Sequence, residues 1–473
     1  MKMREQIKKC AVPMQMQTVC AVVVACVIVL GFVGCSRVSP DDNHEGYYSA
    51  DPFYGETLIV STVTSHADVG GPASIETLAV LYMLENQGVT IEIVNPFANH
   101  RGSWLDLMQL YREYTTLQLM TGTAPTLFEA SAFDWYDSRV NRFFADWYPI
   151  IQQDPYFIES DFYVNAFSAI SSNAQGRLVV YPYSFSSWLV ATNISMPGIM
   201  DAVISYNSLS ISEMHRLHHL FAMNTPVALY SVHSTLDAVI FSLGEFVDFE
   251  NRTADINNQV FIQFITLSRY LSELADGSGR VWTTPEEEAA LSASNLFNFV
   301  NTLAFQYLLE VDGVLFGNPL PKANDDGELL IFPDFTFALC ASSTPTQKAL
   351  AWDFIMYMQQ NSSPLIPNSR PVYRPLARET VRHWMPRFNQ WSQANGLGGY
   401  EGGFEAGSDT VFSILDGFHN RPMALLHVIG SLGNPLDSII IEVISDFDNH
   451  LITAEQAAEY LQNRISLYFL EMN

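Results

Sequence analysis

Leu58-Ile59-Val60-Ser61-Thr62-Val63 and Val89-Thr90-Ile91-Glu92-Ile93-Val94 are the two stretches that decide how this chain folds. Both are short runs rich in β-branched residues, the composition of strands. Between them a loop with Gly70-Gly71-Pro72 leads to Ser74, positioned to cap a helix that carries Ile75, Leu78, Leu81 and Tyr82 at three- and four-residue spacing. Gly88 is positioned to end that helix. Strand, helix and strand within 37 residues form a βαβ unit, which requires parallel pairing through a right-handed crossover.

Outward from this unit the alternation continues. A second helix carries Leu105, Met108, Tyr111 and Thr115 on one face, with Gly122 past its end, and Pro125-Thr126-Leu127-Phe128 reads as a third strand. Strands alternating with helices predict a doubly wound α/β sheet. In such sheets the ligand lies beyond the carboxyl ends of the strands. That brings Thr64, Ser65, His66, Phe133, Asp134 and Trp135 close to any site. Residues 200–310 read as mostly helical, through Leu217/Leu220/Phe221 and Phe261/Phe264/Leu267/Leu271. Thr344-Pro345 opens a helix bearing Leu350, Phe354 and Met358. Thr453 with Gln456 predicts a capping box. The terminal helix then carries Ala457, Leu461, Ile465, Tyr468 and Met472 as one stripe.

The 473 residues hold 23 Lys plus Arg against 50 Asp plus Glu, a net charge of −27. A phosphate backbone needs clustered basic residues, so nucleic acid is excluded as a partner. Apolar residues make up 48% and charged residues 15%, which argues against disorder over most of the chain. The 8 Trp, 21 Tyr and 31 Phe make 60 rings, enough for some to serve as ligand platforms.

Lys2, Arg4, Lys8 and Lys9 precede an uncharged stretch in which Val19–Gly34 holds nothing more polar than Cys and Gly. This is the layout of an export signal, and by hydropathy alone it equally fits an uncleaved membrane anchor. The run ends Leu30-Gly31-Phe32-Val33-Gly34-Cys35, which resembles the lipobox of bacterial lipoproteins with Phe32 in place of the usual Leu. The resemblance implies cleavage before Cys35 and lipid attachment to it. Either reading leaves the body outside the cytoplasm and tethered to a membrane. Cys10, Cys20 and Cys26 fall in this signal, so Cys340 alone remains in the body beyond Cys35. There is therefore no disulfide framework and no cysteine metal site. Without residues 1–34 the chain keeps 19 basic and 49 acidic residues, a net −30. Residues 36–56 are polar and rich in Asp, Pro, Gly and Ser, and read with Cys35 as a flexible tether over 35–56.

Four further segments, in order, resemble one family: the extracellular solute-binding proteins (family 1) of bacterial sugar-type ABC importers. The first is Gly122-Thr123-Ala124-Pro125-Thr126-Leu127-Phe128, where Thr126 stands in place of the family's usual Asp. The second runs from Asn173 through Gly176-Arg177-Leu178 and Tyr181-Pro182-Tyr183-Ser184-Phe185-Ser186 to Asn193. The third is Phe332 to Met358, including Ala351-Trp352-Asp353-Phe354-Ile355. The fourth is Ser369-Arg370-Pro371-Val372-Tyr373-Arg374. The resemblance implies a two-lobed, type II periplasmic-binding-protein-like α/β fold with solute held between the lobes. It implies an N-lobe of 57–182 with 333–368 and a C-lobe of 183–332 with 369–473. Crossing strands fall at Tyr181–Trp188, Phe332–Phe337 and Pro371–Arg374. Pro182 keeps Tyr181 extended, as a crossing strand requires.

A crossing strand exposes side chains to the cleft, which makes Ser184, Phe185, Trp188, Asp334 and Phe335 candidates beside Ser65, His66, Asp134 and Trp135. Trp135, Trp188 and Phe335 fit a platform for the apolar faces of sugar rings, and equally fit lobe-core aromatics. Asp134 and Asp334 fit acceptors for sugar hydroxyls, and equally fit solvated loop acids. His215, His218 and His219 share helical spacing, which makes a metal geometrically possible, but no Cys lies nearby and no acid completes a site, so the run reads as a surface helix and no metal site is expected. Asp446-Phe447-Asp448-Asn449-His450 begins like a calcium loop and fails at its fifth and sixth positions. Glu286-Glu287-Glu288 after Thr284-Pro285 suits a helix first turn. The chain has no nucleophile elbow, no His-Glu-x-x-His and no Walker loop.

The expected protein is therefore a non-enzymatic, monomeric, cofactor-free receptor. It is anchored by Cys35 at the extracellular face of the bacterial cytoplasmic membrane and delivers a small solute, an oligosaccharide, to ABC permease subunits. The alternatives are an exported carbohydrate-active or cell-wall hydrolase on the same anchor, and a sensor's ligand receptor. Replacing Cys35 with Ala should leave the chain unprocessed or released. Intact mass and membrane fractionation identical to wild type would overturn the lipobox reading.

Overall fold

The computed structural model describes residues 52–63, 75–98, 100–133, 135, 138–172, 174–193, 210–221, 235–249, 251–275, 297–301, 315–319, 328–363, 370–394, 412, 416–417, 419–425 and 435–471. The unit described is the compact body Phe53–Asn473. The signal, Cys35 and residues 36–51 of the tether lie outside the described residues, as do Ser74 and the Glu286–Glu288 run. The last residues of the expected tether are fixed to the body instead, Phe53 packing against the first core and Gly55 donating its N–H to the Gly88 carbonyl at 2.8 Å.

The βαβ unit forms as its sequence predicts. Strand β1 (Thr57–Ser61) and strand β2 (Thr90–Val94) pair in parallel, Leu58 opposite Ile91 and Val60 opposite Ile93. Helix α1 (Ile75–Glu85) joins them and buries Ile75, Leu78, Ala79 and Tyr82. Leu81 departs from the predicted stripe: it is 39% exposed, because the row from Ile75 runs through 78, 79 and 82 and leaves 81 turned away. Gly88 holds φ at 91°. A Cβ there would also lie 2.3 Å from a ring carbon of Tyr54, so both backbone and packing require glycine.

Helix α2 (Trp104–Thr121) starts in a capping box between Ser103 and Asp106, and it buries Met108, Tyr111, Thr115 and Leu119. Gly122 ends it in the left-handed conformation, φ 73°, with its N–H bonded to the carbonyls of Gln118 and Leu119. Strand β3 (Leu127–Glu129) then pairs in parallel with β1.

In chain order the remaining elements are α3 (Val164–Ser172), β4 (Tyr181–Asn193), α4 (Ile211–Phe221), α5 (Thr235–Phe246), β5 (Val247–Asp248) and β6 (Thr253–Ala254). After these come α6 (Gln259–Ala275), β7 (Phe297–Asn301), β8 (Leu315–Pro319), β9 (Leu329–Leu339) and α7 (Pro345–Asn361). The chain continues through β10 (Arg370–Pro371), α8 (Arg374–Ala394), β11 (Met423–Leu425), α9 (Pro435–Asp448) and α10 (Ala454–Glu471). Thr344 caps α7 in a second capping box with Gln347, and Pro345 occupies its first turn. Thr453 and Gln456 close the predicted box on α10. That helix buries Ala457, Leu461, Ile465 and Phe469, with Phe469 rather than Tyr468 completing the stripe. Asp446 to Asp448 form the C-terminal end of α9 and Asn449-His450 turn out of it, so the calcium-like run forms no binding loop.

The main sheet has the order β10-β4-β9-β3-β1-β2. Its parallel part is β2-β1-β3, with β11 parallel to the start of β9. The centre departs from an all-parallel expectation. The long strands β4 and β9 meet head to tail, so β3–β9, β9–β4 and β4–β10 are antiparallel. Beyond β9 the second half of β4 lies between β7 and β8.

Two hydrophobic cores result. The first gathers β1, β2, β3, α1, α2 and α7 with Tyr181, Tyr183, Phe335 and Phe337, and it also takes in Val372, Phe412, Met423 and Leu425. The second gathers α4, α5, α6, α9 and α10, and it includes Leu330 of β9. One strand thus packs into both.

Gly122→Ala should lower stability by about 1 kcal/mol, since an added Cβ meets nothing within 4 Å and only the left-handed backbone resists it. Urea unfolding of the variant checks this.

Candidate functional site

The carboxyl ends of the parallel strands come first, because that is where an α/β sheet leaves its backbone groups open. Beyond β1, Val63 donates its N–H to Glu129 Oε2 at 2.9 Å. Glu129, at the end of β3, is fully buried. Tyr111 reaches the same place from α2 and donates to the Ser61 carbonyl at 3.1 Å. Burial, and secondly the charge of Glu129, hold the Tyr111 phenol above its ordinary range. Phe133 packs edge-on against Tyr111, Phe128 and Phe144. Trp135 is 9% exposed at the rim of that cluster. Ser65, His66 and Asp134 lie outside the described residues. Glu129 was not singled out from the sequence, although a lone acid closing the apolar run Leu127-Phe128 is a detectable signal.

The central strands supply the second part. Residues of a strand alternate between faces, so Asp334 and Phe335 point oppositely, and so do Ser184 and Phe185. Phe335 faces the first core, has no exposed surface and packs edge-on to Tyr183 and Phe337. Phe185 is likewise fully buried, edge-on to Tyr163 and His419. Ser184 is fully buried in the β4–β9 pair beside a register shift. These three are core residues and leave no surface for a solute, which corrects the expectation that they line the cleft. Trp188 pairs its backbone with Asn301 of β7, and its side chain lies outside the described residues.

The opposite face of β9 carries Leu330, Phe332, Asp334 and Thr336. Leu330 belongs to the second core and Phe332 packs against it. At the other end the Thr336 carbonyl accepts from Ala130 N–H at 2.9 Å, and its hydroxyl lies 3.5 Å from that of Ser131. Between these ends Asp334 is half-buried and accepts a hydrogen bond from Ser186 Oγ at 2.8 Å. Ser186 was also missed as a candidate. Its role follows from pairing with Phe332, which no local pattern encodes.

No protein-family model matches the chain, and no curated protein matches it by sequence. Solved structures do. The extracellular solute-binding protein family 1 of Alicyclobacillus acidocaldarius matches at a TM-score of 0.56 and 11% identity, covering 88% of this chain and 99% of its own. The periplasmic oligogalacturonide-binding protein of Yersinia enterocolitica matches at 0.57 and 13%, covering 88% and 99%. The sugar-binding protein MalE of Xanthomonas citri matches at 0.58 and 12%, covering 88% and 98%. Two designed esterases match at 0.53 and 0.51. At such identities the likeness defines the fold: this chain has the two-lobed type II periplasmic-binding-protein fold. The matched natural proteins bind solutes, and those binding proteins outnumber the two engineered catalysts.

A charged cluster lies under the other face of the same strands. Arg370 of β10 sits opposite Phe185 and is 2% exposed. Among the described residues none of its three guanidinium nitrogens has a hydrogen-bond partner. The nearby Asp416 carboxylate is engaged by Arg374 and by the Tyr163 hydroxyl, the latter at 3.0 Å. Burial pushes the Arg370 guanidinium below its ordinary range, opposed by Tyr163 and Asp416. An arginine remains charged in a protein, so a buried one without partners is destabilising. Arg370→Met should therefore raise stability by about 1 kcal/mol or more. A fall in the urea midpoint would show that the guanidinium contributes to folding.

Proposed function

We propose that this chain is a lipid-anchored extracellular solute-binding protein. It captures an oligosaccharide between its lobes and presents it to ABC permease subunits as a monomer, without a cofactor and without catalysis. The observation that carries this reading is the face Leu330-Phe332-Asp334-Thr336. It runs from the second core to the loop beyond β3 and leaves Asp334, bonded to the buried Ser186, half-exposed midway. A polyol needs carboxylate and hydroxyl partners at such a place, flanked by apolar surface. The names of the matched structures, sugar-binding and oligogalacturonide-binding among them, support a carbohydrate.

The lobes in this reading are 57–182 with 333–368 and 183–332 with 369–473. The change of lobe falls inside β4 and β9, and Val372, Ala377, Val381, Phe412, Met423 and Leu425 pack back onto the first core. The cleft residues are Ser65, His66, Asp134, Trp135, Trp188 and Asp334, with Ser186 added. Export and anchoring rest on the signal layout and Cys35. Among the described residues no helix is long and apolar enough to cross a membrane.

Calorimetry of residues 36–473 against an oligosaccharide panel, paired with a product assay, tests the reading. Binding without turnover is expected, with a smaller radius of gyration in solution scattering at saturation. Asp334→Ala should weaken binding roughly tenfold, the worth of one hydrogen bond to a charged group. Release of sugar products would favour the hydrolase. Binding with a fixed radius of gyration would remove the closing receptor.

A further inference from the structure

Helix α4 turns Ile211, Met214 and Leu217 into the second core. Its other side carries the Glu213–Arg216 ion pair together with His215 and His219. These two histidines lie one turn apart, and their Nε2 atoms are 3.1 Å from each other. The rings meet edge to face at 4.4 Å between centroids. Tyr270 of α6 packs against both, edge-on to His215 at 5.0 Å and nearly parallel to His219 at 6.0 Å. A neighbouring helix therefore holds the pair in its converging arrangement.

A hydrogen bond between two solvent-facing imidazoles returns little over hydration, yet the arrangement immobilises two side chains. We propose that His215 and His219 chelate a divalent first-row transition ion through their Nε2 atoms. At a metal–nitrogen distance of about 2.05 Å, a 3.1 Å separation subtends about 98° at the ion. That value lies between the octahedral and tetrahedral angles. Two imidazoles suit Zn²⁺, Ni²⁺ and Cu²⁺, whereas Mg²⁺ and Ca²⁺ take oxygen ligands. Among the described residues no group of three His, Cys, Asp or Glu gathers as a metal site, so these two histidines are the protein ligands proposed. The site is on α4 in the second core and is independent of the Ser186–Asp334 pair.

The test uses residues 36–473 purified without a polyhistidine tag, titrated with Ni²⁺ and Zn²⁺ in equilibrium dialysis and calorimetry. His215→Ala and His219→Ala should each remove one equivalent of bound ion, while His450→Ala keeps it. Alanine favours helix, and circular dichroism verifies folding, with His→Gln variants as a second pair. Zn²⁺ should raise the thermal midpoint of wild type by mass action and leave that of the double variant unmoved. Four results would each overturn the site: no saturable binding by wild type, unchanged stoichiometry in the double variant, loss of the same equivalent in His450→Ala, or equal competition by Mg²⁺.

Discussion

The antiparallel pairing of β4 with β9 is the contact on which the rest of this molecule depends. Tyr181 stands opposite Phe337 and Ser187 opposite Ile331, with shifts in register around Ser184. Because side chains alternate, a register that sends Tyr181, Tyr183, Phe335 and Phe337 into the first core must send Ser186, Phe332 and Asp334 to the other face. A slip of one residue would bury Asp334 without a partner and expose Phe335. The aromatic cluster around Tyr183 and Phe335 therefore fixes the polar pair on the reverse side, although the two sets never touch. The same pairing explains how one chain builds two cores: β9 contributes Leu329 and Ile331 to one and Leu330 to the other.

What was legible in the sequence is what short-range chemistry determines. The βαβ unit, the Gly122 stop, the Thr344-Pro345 start and the Thr453–Gln456 box all depend on residues within a few positions of one another, and all formed. The errors share one cause. Naming Asp334 with Phe335, and Ser184 with Phe185, assigned adjacent strand residues to one surface, which a regular strand forbids. Which member faces the core is decided by a partner strand some 150 residues away in sequence. Ser186 and Arg370 are not legible for the same reason: their surroundings arise only when distant segments meet, whereas Glu129 carries a local signal as the acid that closes the apolar run Leu127-Phe128.

Charge follows a similar division. The net −27 is carried mostly at the surface, where acids are solvated and repel one another weakly at physiological salt. The consequential charges are the few inside. Glu129 is fully buried and ties the ends of β1 and β3 through Val63 N–H. Arg370 sits beneath the strands while Asp416 is engaged by Arg374 and Tyr163. Glu129 and Arg370 sit at a sheet end and a sheet edge, where a backbone fold leaves polar groups to satisfy, while Asp437 is buried in the first turn of α9.

The same architecture constrains how a solute could act on the molecule. Designed esterases share this fold with binding proteins, so chemistry is decided by side chains presented at the strand ends and crossings, not by the sheet. A ligand shifts a conformational equilibrium only through differential affinity for the two states. One that touches a single core binds open and closed forms alike and moves nothing. The Ser186–Asp334 pair lies on a strand face anchored in the second core at Leu330 and against the first at Thr336. A solute bonded to Asp334 therefore sits where contacts to both bodies are within reach. In the proposed receptor the remaining contacts would come from the candidates beyond β1 and β3 and on β4, and closure would require bonds made only in the closed arrangement.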